Sequence, residues 1–443
     1  MKQKLRIFVT NTVARVAKKI GIGISIGEVS LPRPFALRLH TVNLTNKQQD
    51  IIADINQIYI QLYFWQSLFS FSFVGRTTIS GIHMNWAAIS MKPIEFHELK
   101  TSFSSRSHRK ITFSVEVGNL LAVAQLTNTR NMAELLLDFQ KVTWDDFMIA
   151  FGNNVYFDYL KQLTSNTSIS IIALLRKGKN KKQFPFFNAK IQWDGFVLTT
   201  KEGVKETIDM PFLQDALHLA LKKKGGKNIE YISYSQIPEH FVRAVLCTED
   251  PNFFQHAGVD PSFVGLAMHT NEKSRAFTRG ASTLTMQLVR NLFLHYKKDL
   301  FRKAEECIIS LLLENYYKID KQDIFELYTN IIEFAPNVYG LSQASHFYFG
   351  KSFSELTLTE CLVLTYIIPR PKHFFDALLL QTEQLRTNLC QHIQSFSVIM
   401  LRKGLISAIE YQLISYTIIF ANPFETLVLR VDTTGDRVTS DNR

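Results

Sequence analysis

The chain has 443 residues, of which 46% are hydrophobic and 20% charged, and it includes 35 Phe. This content excludes an intrinsically disordered chain and is enough for two or three domains of roughly 150 residues each. The 50 Lys and Arg exceed the 39 Asp and Glu, and the formal charge of +11 favours an anionic partner such as nucleic acid, anionic lipid or a phosphorylated substrate. The four Cys are too widely spaced for a zinc ribbon or a disulfide framework.

The first segments bear on whether the chain crosses a membrane. Residues 1–24 are basic and amphipathic but lack the long apolar run of a signal peptide or a spanning helix. The uncharged stretch 55–75 has the length that a bilayer requires, yet Phe and Ser alternate in it between positions 69 and 73, which is the period of a strand. We therefore predict a half-buried strand there, with a membrane span as the alternative.

Residues 25–200 consist of short alternating segments separated by Gly, Asn, Ser or Lys clusters, which predicts a β-rich domain. Between 133 and 163 apolar residues recur at helical spacing, so one or two helices are expected to interrupt it. Residues 201–232 are predicted to be a linker.

Helical periodicity dominates residues 233–425, and residues 426–443 are predicted to be a C-terminal tail. Ser235 and Pro238 predict a capped helix start. Three apolar stripes follow at helical spacing: Phe241, Val242, Val245 and Leu246; Ala304, Cys307, Ile308, Leu311 and Leu312; and Ile324, Leu327, Tyr328 and Ile331. The predicted fold class is α+β and multidomain, with a β-rich N-terminal region followed by a mainly α-helical domain.

Two polar clusters stand at the ends of predicted helices. Glu249 and Asp250 end an apolar helix, where partial desolvation raises a carboxyl pKa and suits it to general acid/base work; a solvated helix end is the alternative. Hydroxyl residues between 280 and 291 are able to cap a helix whose N-terminus binds an anion, with Arg290 two turns on, or to cap it without a ligand.

Two further clusters lie on predicted helices. Arg302 and Lys303 share a helical face with Glu306, as in surface salt bridges or in a site for a charged phosphate. The stretch 321–330 fits an amphipathic helix in which Glu326 pairs with Asn330.

The order and spacing of these clusters resemble a known family. The segments EDPNFFQHAG, GASTLTMQL, RKAEE, KQDIFELYTN and VYGLSQASHFYFGK resemble the family 51 glycosyltransferases, the peptidoglycan glycosyltransferase module of class A penicillin-binding proteins and monofunctional transglycosylases. The resemblance covers about residues 230–410 and implies a lysozyme-like helical domain. The N-terminal strands are only faintly similar to AsmA-like envelope modules.

The resemblance implies roles for individual residues. Glu249 is the expected general base and Glu306 the second catalytic acid, chosen over Glu305 because only Glu306 lies four residues from Arg302. The substrate-binding positions implied are Asp250, Phe253, His256, Gly258, Gly280, Ser282, Thr283, Gln287, Arg290, Asn291, Arg302, Lys303, Lys321, Glu326, Tyr328 and Asn330. Met286, Thr329 and Ala335 depart from the family pattern.

The activity implied is polymerisation of lipid II into glycan strands, with inversion and release of undecaprenyl pyrophosphate. The expected partners are lipid II, nascent glycan strands, the membrane surface and other cell-wall synthesis proteins, and not nucleic acid. The expected location is the periplasmic or extracytoplasmic face of the bacterial inner membrane, where the basic start contacts the membrane or follows a truncated anchor. No obligatory cofactor is expected, and a divalent cation (Mg or Mn) is a candidate.

Two alternatives remain open. One is a non-catalytic envelope scaffold that binds lipid II, which the departures from the family pattern favour. The other is a lysozyme-like peptidoglycan hydrolase, which also uses paired carboxylates but attacks with water.

Overall fold

The computed structural model describes most of the chain. The described residues are 22–63, 73–86, 90–107, 110–130, 132–164, 168–178, 186–193, 199–200, 208–223, 230–262, 282–295, 299–421, 423–424, 426–429 and the single positions 7, 9, 11, 15, 67 and 297.

The chain divides into two compact units. The first contains residues 1–207, 261–281 and 296–305, and the second contains residues 208–260, 282–295 and 306–443. The division falls inside one helix, Leu300–Leu311, whose first half belongs to the first unit. The predicted domain boundaries themselves stay predictions.

Ten described strands of the first unit form one antiparallel sheet in the order β1 to β8, then β10 and β11. These strands are β1 (Gly23–Ser30), β2 (Ala36–Thr45), β3 (Ile51–Leu62), β4 (Phe73–Met84), β5 (Ile94–Ser107), β6 (Lys110–Val117), β7 (Leu120–Asn128), β8 (Met132–Thr143), β10 (Ser168–Gly178) and β11 (Phe186–Trp193). Two short strands, β9 (Leu163–Thr164) and β12 (Thr199–Thr200), pair separately.

The core of this sheet comes from the register of its first strands. Ile26 lies opposite Val42, Val42 opposite Ile55, and Ile55 opposite Ile82, so buried aliphatic side chains form one ladder across four strands. Cross-strand pairs of this kind are the unit of sheet stabilisation. The β-rich prediction for this region is therefore confirmed.

The helices expected between 133 and 163 are present only in its second part. α1 (Trp144–Phe151) begins at Thr143, whose hydroxyl accepts the backbone N–H of Asp146, and α2 (Asp158–Gln162) follows. The prediction is wrong for residues 133–143, which belong to strand β8. That strand pairs on both sides, with β7 and β10, and its consecutive leucines at 135–137 fit helical spacing as well as a strand.

The stretch 55–75 lies in strands at both of its ends, β3 and β4, which pair antiparallel. The alternating Phe and Ser residues at 69–72 lie outside the described residues. Among the residues described, no helix combines the length and the apolar character needed to cross a membrane.

The second unit is mainly helical, which confirms the α+β class. Its described helices are α3 (Met210–Lys223), α4 (Glu239–Thr248), α5 (Leu284–Phe293), the second half of α6 (Leu300–Leu311), α7 (Lys321–Ile331), α8 (Gly340–Phe349), α9 (Leu358–Ile367), α10 (Pro371–Leu379), α11 (Glu383–Arg402) and α12 (Ala408–Gln412). The short strand pairs are β13 (Glu333–Ala335) with β14 (Val338–Tyr339), and β15 (Thr417–Ile418) with β16 (Leu427–Val428). Helix α3 lies within the stretch predicted as a linker and buries four apolar side chains.

Two helix predictions in this half need correction. Ser235 does not cap α4, because Pro238 occupies the N-cap without a side-chain bond, and the serine that caps locally is Ser233, in a capping box with Gln236. The stripe predicted along residues 304–312 is right only at Leu312, which is buried just after α6, and wrong at Ala304, Cys307, Ile308 and Leu311, which are only half-buried. The buried side chains of α6 are Arg302, Glu305, Glu306, Ile309 and Ser310.

Candidate active site

The expected base, Glu249, stands at the C-cap of α4 and is held by a side chain of α5. The amide Nε2 of Gln287 donates to Glu249 Oε2 at 3.0 Å. The hydroxyl of Tyr328 on α7 donates to Gln287 Oε1 at 3.4 Å, which fixes which end of the amide faces the carboxylate. Burial, and then the charge of Glu249, raise the pKa of Tyr328 well above its usual value, so this phenol stays a neutral donor.

Asp250 is fully buried and joins the first two sequence motifs. Its Oδ2 accepts the backbone N–H of Leu284, at the N-terminus of α5, at 3.0 Å, and lies 3.0 Å from His256 Nε2. Thr283 caps the same helix by accepting the N–H of Met286, and its hydroxyl donates to the carbonyl of Gly258 at 2.6 Å. The predicted helix cap at Thr283 is confirmed, and the carboxylate of Asp250 satisfies an N–H that a helix start leaves without a helical partner.

Gly258 is the one position of the first motif where only glycine fits. Its φ is +87°, and an added Cβ would lie 2.5 Å from the carbonyl oxygen of Ser310 on α6. Residues with a side chain rarely adopt this backbone conformation, and the backbone of Ser310 is too close to leave room for a Cβ. The glycine therefore allows the loop after Asp250 to pass directly against α6.

Lys321 lies at the start of α7 between an acid and an aromatic ring. Its Nζ is 2.6 Å from Glu314 and 4.4 Å from the ring centroid of Phe253, which is fully buried. The hydroxyl of Thr285 donates to the same Glu314 at 2.5 Å. Burial lowers the pKa of Lys321, and the bond to Glu314 opposes that shift.

Glu326 and Asn330 hold the segment that leads into α4. Glu326 accepts from the hydroxyl of Tyr231 at 2.5 Å and from the backbone N–H of Tyr234 at 2.7 Å. Asn330 accepts the N–H of Ile232 at 2.9 Å and donates to the carbonyl of the same residue at 2.8 Å. Their expected pairing takes place only through the backbone, since Asn330 Nδ2 donates to the carbonyl of Glu326. Apart from the Tyr231 hydroxyl, these contacts are with the chain's own backbone, as in a scaffold.

The remaining expected site residues lie on α5 and α6 or beyond the described part. Ser282 and Arg290 are half-buried and Asn291 is buried. Glu306 is fully buried on α6, where Ser310 donates to its backbone carbonyl. Arg302 and Lys303 belong to the first unit. Gly280 lies outside the described residues.

Sequence reasoning missed two acids of these helices. Glu314 binds both Lys321 and Thr285 through its carboxylate. The lysine at the start of α7 is the one sequence feature that points to a buried acid partner, and it does so weakly. Glu305 was set aside in favour of Glu306, although both are buried. The departures from the family pattern, Met286, Thr329 and Ala335, are buried too.

In the part of the chain that the structure describes, no three or more His, Cys, Asp or Glu side chains are grouped to hold a metal ion. A role for Mg or Mn stays a prediction.

The geometry around Glu249 can be compared with known proteins. Residues 218–394 match the family described as Transglycosylase. The "Biosynthetic peptidoglycan transglycosylase" of Nitrosomonas eutropha is 36% identical over 167 residues, which cover 37% of this chain and 67% of that protein. This chain belongs to the transglycosylase family. It is an enzyme of the peptidoglycan glycosyltransferase class.

Other relatives carry the same name. The protein of Paraburkholderia phytofirmans is 39% identical over 144 residues, 32% of this chain and 59% of its own length. That of Acinetobacter baylyi is 36% identical over 145 residues, 33% of this chain and 64% of its own length. The chain thus spans slightly less than two thirds of both of these relatives. The resemblance to the family 51 glycosyltransferases is confirmed.

Proposed function

We propose that this transglycosylase polymerises lipid II into glycan strands by inverting glycosyl transfer and releases undecaprenyl pyrophosphate. The observation that supports this proposal most is the partial exposure and fixed orientation of the Glu249 carboxylate. Glu249 is not fully buried, unlike its neighbour Asp250 and the second expected catalytic acid Glu306, and a side-chain amide orients it. A general base needs this combination of access and fixed direction.

In the proposed reaction Glu249 removes the proton from the 4-hydroxyl of the acceptor GlcNAc while that oxygen attacks C1 of the donor MurNAc. The pyrophosphate leaves from the opposite face, so the configuration at C1 inverts. Gln287 keeps the carboxylate of Glu249 in one orientation, and Tyr328 keeps Gln287 in place. Holding the base in a near-attack geometry lowers the entropic part of the barrier.

The leaving pyrophosphate is the largest electrostatic problem of this reaction, and fixed cations are the usual means of stabilising it. Arg290 on α5 and Arg302 and Lys303 on α6 are the proposed cations. Glu306, one turn beyond Arg302 on the same helix, is proposed to orient them.

The finer features of the resemblance belong to the same proposal. They are the lysozyme-like arrangement of the helical unit, action at the extracytoplasmic face of the bacterial inner membrane, and contact with the membrane surface, nascent glycan strands and other cell-wall synthesis proteins. The excess of positive charge supports contact with anionic lipid headgroups. No obligatory cofactor is proposed, and polymerisation in the presence of EDTA checks this.

The proposal is tested by incubating lipid II with the wild-type chain and with Glu249→Gln. We expect the wild type to form glycan strands and the variant to lose about 10²- to 10⁴-fold in rate, since its amide cannot accept the proton. The matched control is Glu239→Gln, which removes an exposed carboxylate from the same helix and leaves the rate unchanged.

Each contrary outcome identifies an alternative. Equal polymerisation by wild type and Glu249→Gln refutes the assignment of the base. Binding of lipid II without turnover by the wild type would establish the scaffold instead. Release of reducing ends from finished peptidoglycan would establish the hydrolase.

A further inference from the structure

The first half of α6 is bound by a loop of the β-rich region, and both belong to the first unit. Glu305 is 2% exposed, and its Oε1 accepts the backbone N–H groups of Tyr156 at 2.9 Å and of Phe157 at 3.0 Å. The donors lie directly after the 3₁₀ turn Gly152–Asn154, far from Glu305 in the sequence. A buried carboxylate is costly without partners, so this contact is a specific one.

A second contact holds the helix start. The hydroxyl of Tyr156 donates to Asp299 Oδ2 at 3.1 Å, and Asp299 Oδ1 accepts the backbone N–H of Arg302 at 2.7 Å. Asp299 therefore acts as the cap of α6 while the same carboxylate is bound by Tyr156. The ring of Phe301 packs against Phe151 of α1 with centroids 5.4 Å apart.

The loop that makes these contacts, residues 152–157, is itself fixed to the sheet region. Asn154 is 3% exposed and donates to Ser90 Oγ and to the carbonyls of Lys92 and Pro93 at 3.1 to 3.2 Å. Lys92 Nζ donates to the carbonyl of Val155 at 2.9 Å, and the N–H of Met91 donates to the hydroxyl of Tyr156 at 2.8 Å. The loop thus presents its donors to α6 from a rigid support.

Two candidate pyrophosphate-binding cations lie between these contacts. Arg302 and Lys303 occupy the turn of α6 between Asp299 and Glu305, and Arg302 Nε donates to the carbonyl of Lys297 at 2.7 Å. A rotation or shift of this turn would move both side chains together. The part of the chain that fixes the turn is the loop 152–157.

We propose that Glu305 and Tyr156 are positioning residues, through which the β-rich N-terminal region fixes the first turns of α6 and thereby aims Arg302 and Lys303 at the pyrophosphate of the substrate. This inference rests on the proposed function. It gives the N-terminal region a role in the reaction without contact with substrate. A displacement of about 1 Å in such a group costs up to about 100-fold in rate.

The test compares Glu305→Ala, Glu305→Gln and Tyr156→Phe in the full chain. We expect Glu305→Ala to lower kcat for lipid II polymerisation about 10- to 100-fold with a smaller change in KM. Glu305→Gln restores most of kcat, since its amide oxygen still accepts both N–H groups, and Tyr156→Phe is intermediate. The matched control is Glu95→Ala, which removes an exposed acid of the same unit that pairs with His83 and leaves kcat unchanged.

Hydrogen exchange of the α6 amides supplies a readout that does not depend on activity. We expect faster exchange over residues 300–305 in Glu305→Ala and not in Glu305→Gln or Glu95→Ala. The inference would be overturned if Glu305→Ala kept the kcat of the wild type or left the exchange of the α6 amides unchanged. If Glu305→Ala does not fold, the same two measurements on Tyr156→Phe decide. A wild type that makes no glycan refutes the proposed function alone, because the exchange pattern still decides whether α6 is anchored.

Discussion

In the second unit the buried carboxylate of Asp250 meets the N-terminus of α5 and an imidazole, whereas in the first unit the buried carboxylate of Glu305 meets two amides of a loop. A helix N-terminus adds the helix dipole to its N–H groups and so favours an anion. The loop is followed only by the five-residue helix α2, whose dipole is small, and Asp299 adds a second negative charge. Burial therefore raises the pKa of Glu305 to about 7.

The difference separates two kinds of anchoring. In the second unit, the contacts of Asp250, Thr283 and Gly258 lock the first two motifs together. In the first unit, one carboxylate that changes its charge near neutral pH holds the start of a helix. The first anchoring is expected to fail on changes of shape, and the second on changes of pH.

The largest expected effect is a loss of stability in the second unit when the shape of its chain is changed at Gly258. Gly258→Ala places a Cβ 2.5 Å from the carbonyl oxygen of Ser310 at a φ of +87°. We expect a loss of about 3 to 4 kcal/mol in the free energy of unfolding, from backbone strain and overpacking together. Urea denaturation followed by circular dichroism at 222 nm measures it. The control is Gly404→Ala in the same unit, which has a φ of +68° but no atom within 4 Å of the added Cβ, so it isolates the contribution of strain.

A loss in Gly258→Ala no larger than that in Gly404→Ala would show that the loop and α6 separate easily. The close packing inferred between them would then be wrong.

The sequence allowed much of the second unit to be anticipated. The stripe of α7 is buried as predicted at Ile324, Leu327, Tyr328 and Ile331, and Thr283 caps α5. These features depend on neighbours within a few residues. The polar buried face of α6 was not predictable, because the partners of Glu305 lie 148 and 149 residues away in the sequence. Helical spacing alone assigns the buried side to apolar residues.

The next effect is a difference in pH dependence between the two units. The folded pKa of Glu305, about 7, lies above its ordinary value of 4.5, so between these values the folded state keeps a proton that the unfolded state loses. The free energy of unfolding of the first unit therefore falls as pH rises through this window, by roughly 3 kcal/mol at most. Lys92 opposes this change by favouring the charged form of Glu305.

In the second unit the expected trend is opposite. His392 on α11 is half-buried and packs against Thr365, Tyr366 and Phe396, and desolvation lowers its pKa from 6.5 to about 4. Between these values the unfolded state binds a proton that the folded state excludes. The free energy of unfolding of the second unit therefore falls as pH drops through this window, again by roughly 3 kcal/mol at most.

All four Trp residues lie in the first unit, so Trp fluorescence follows that unit while the signal at 222 nm is dominated by the helical one. Urea midpoints measured with both signals from pH 4.5 to 8 should move in opposite directions. Glu305→Gln should flatten only the fluorescence trend, and His392→Phe only the trend at 222 nm. Coincident trends by both signals would contradict the assignment of one titrating group to each unit.

The smallest expected effect concerns ion pairs that both units expose at their surfaces. Glu95 pairs with His83 on the sheet, and Glu239 pairs with Arg243 on α4. Exposed pairs are worth between zero and about 1 kcal/mol because water and salt screen them, so Glu95→Ala and Glu239→Gln should each change the free energy of unfolding by less than about 1 kcal/mol. Larger losses at low ionic strength that shrink in 0.5 M salt, where screening leaves little of such a pair, would mean that surface charge also anchors these units. Small losses in both variants would confine the anchoring to the buried carboxylates, with Asp250 in one unit and Glu305 in the other.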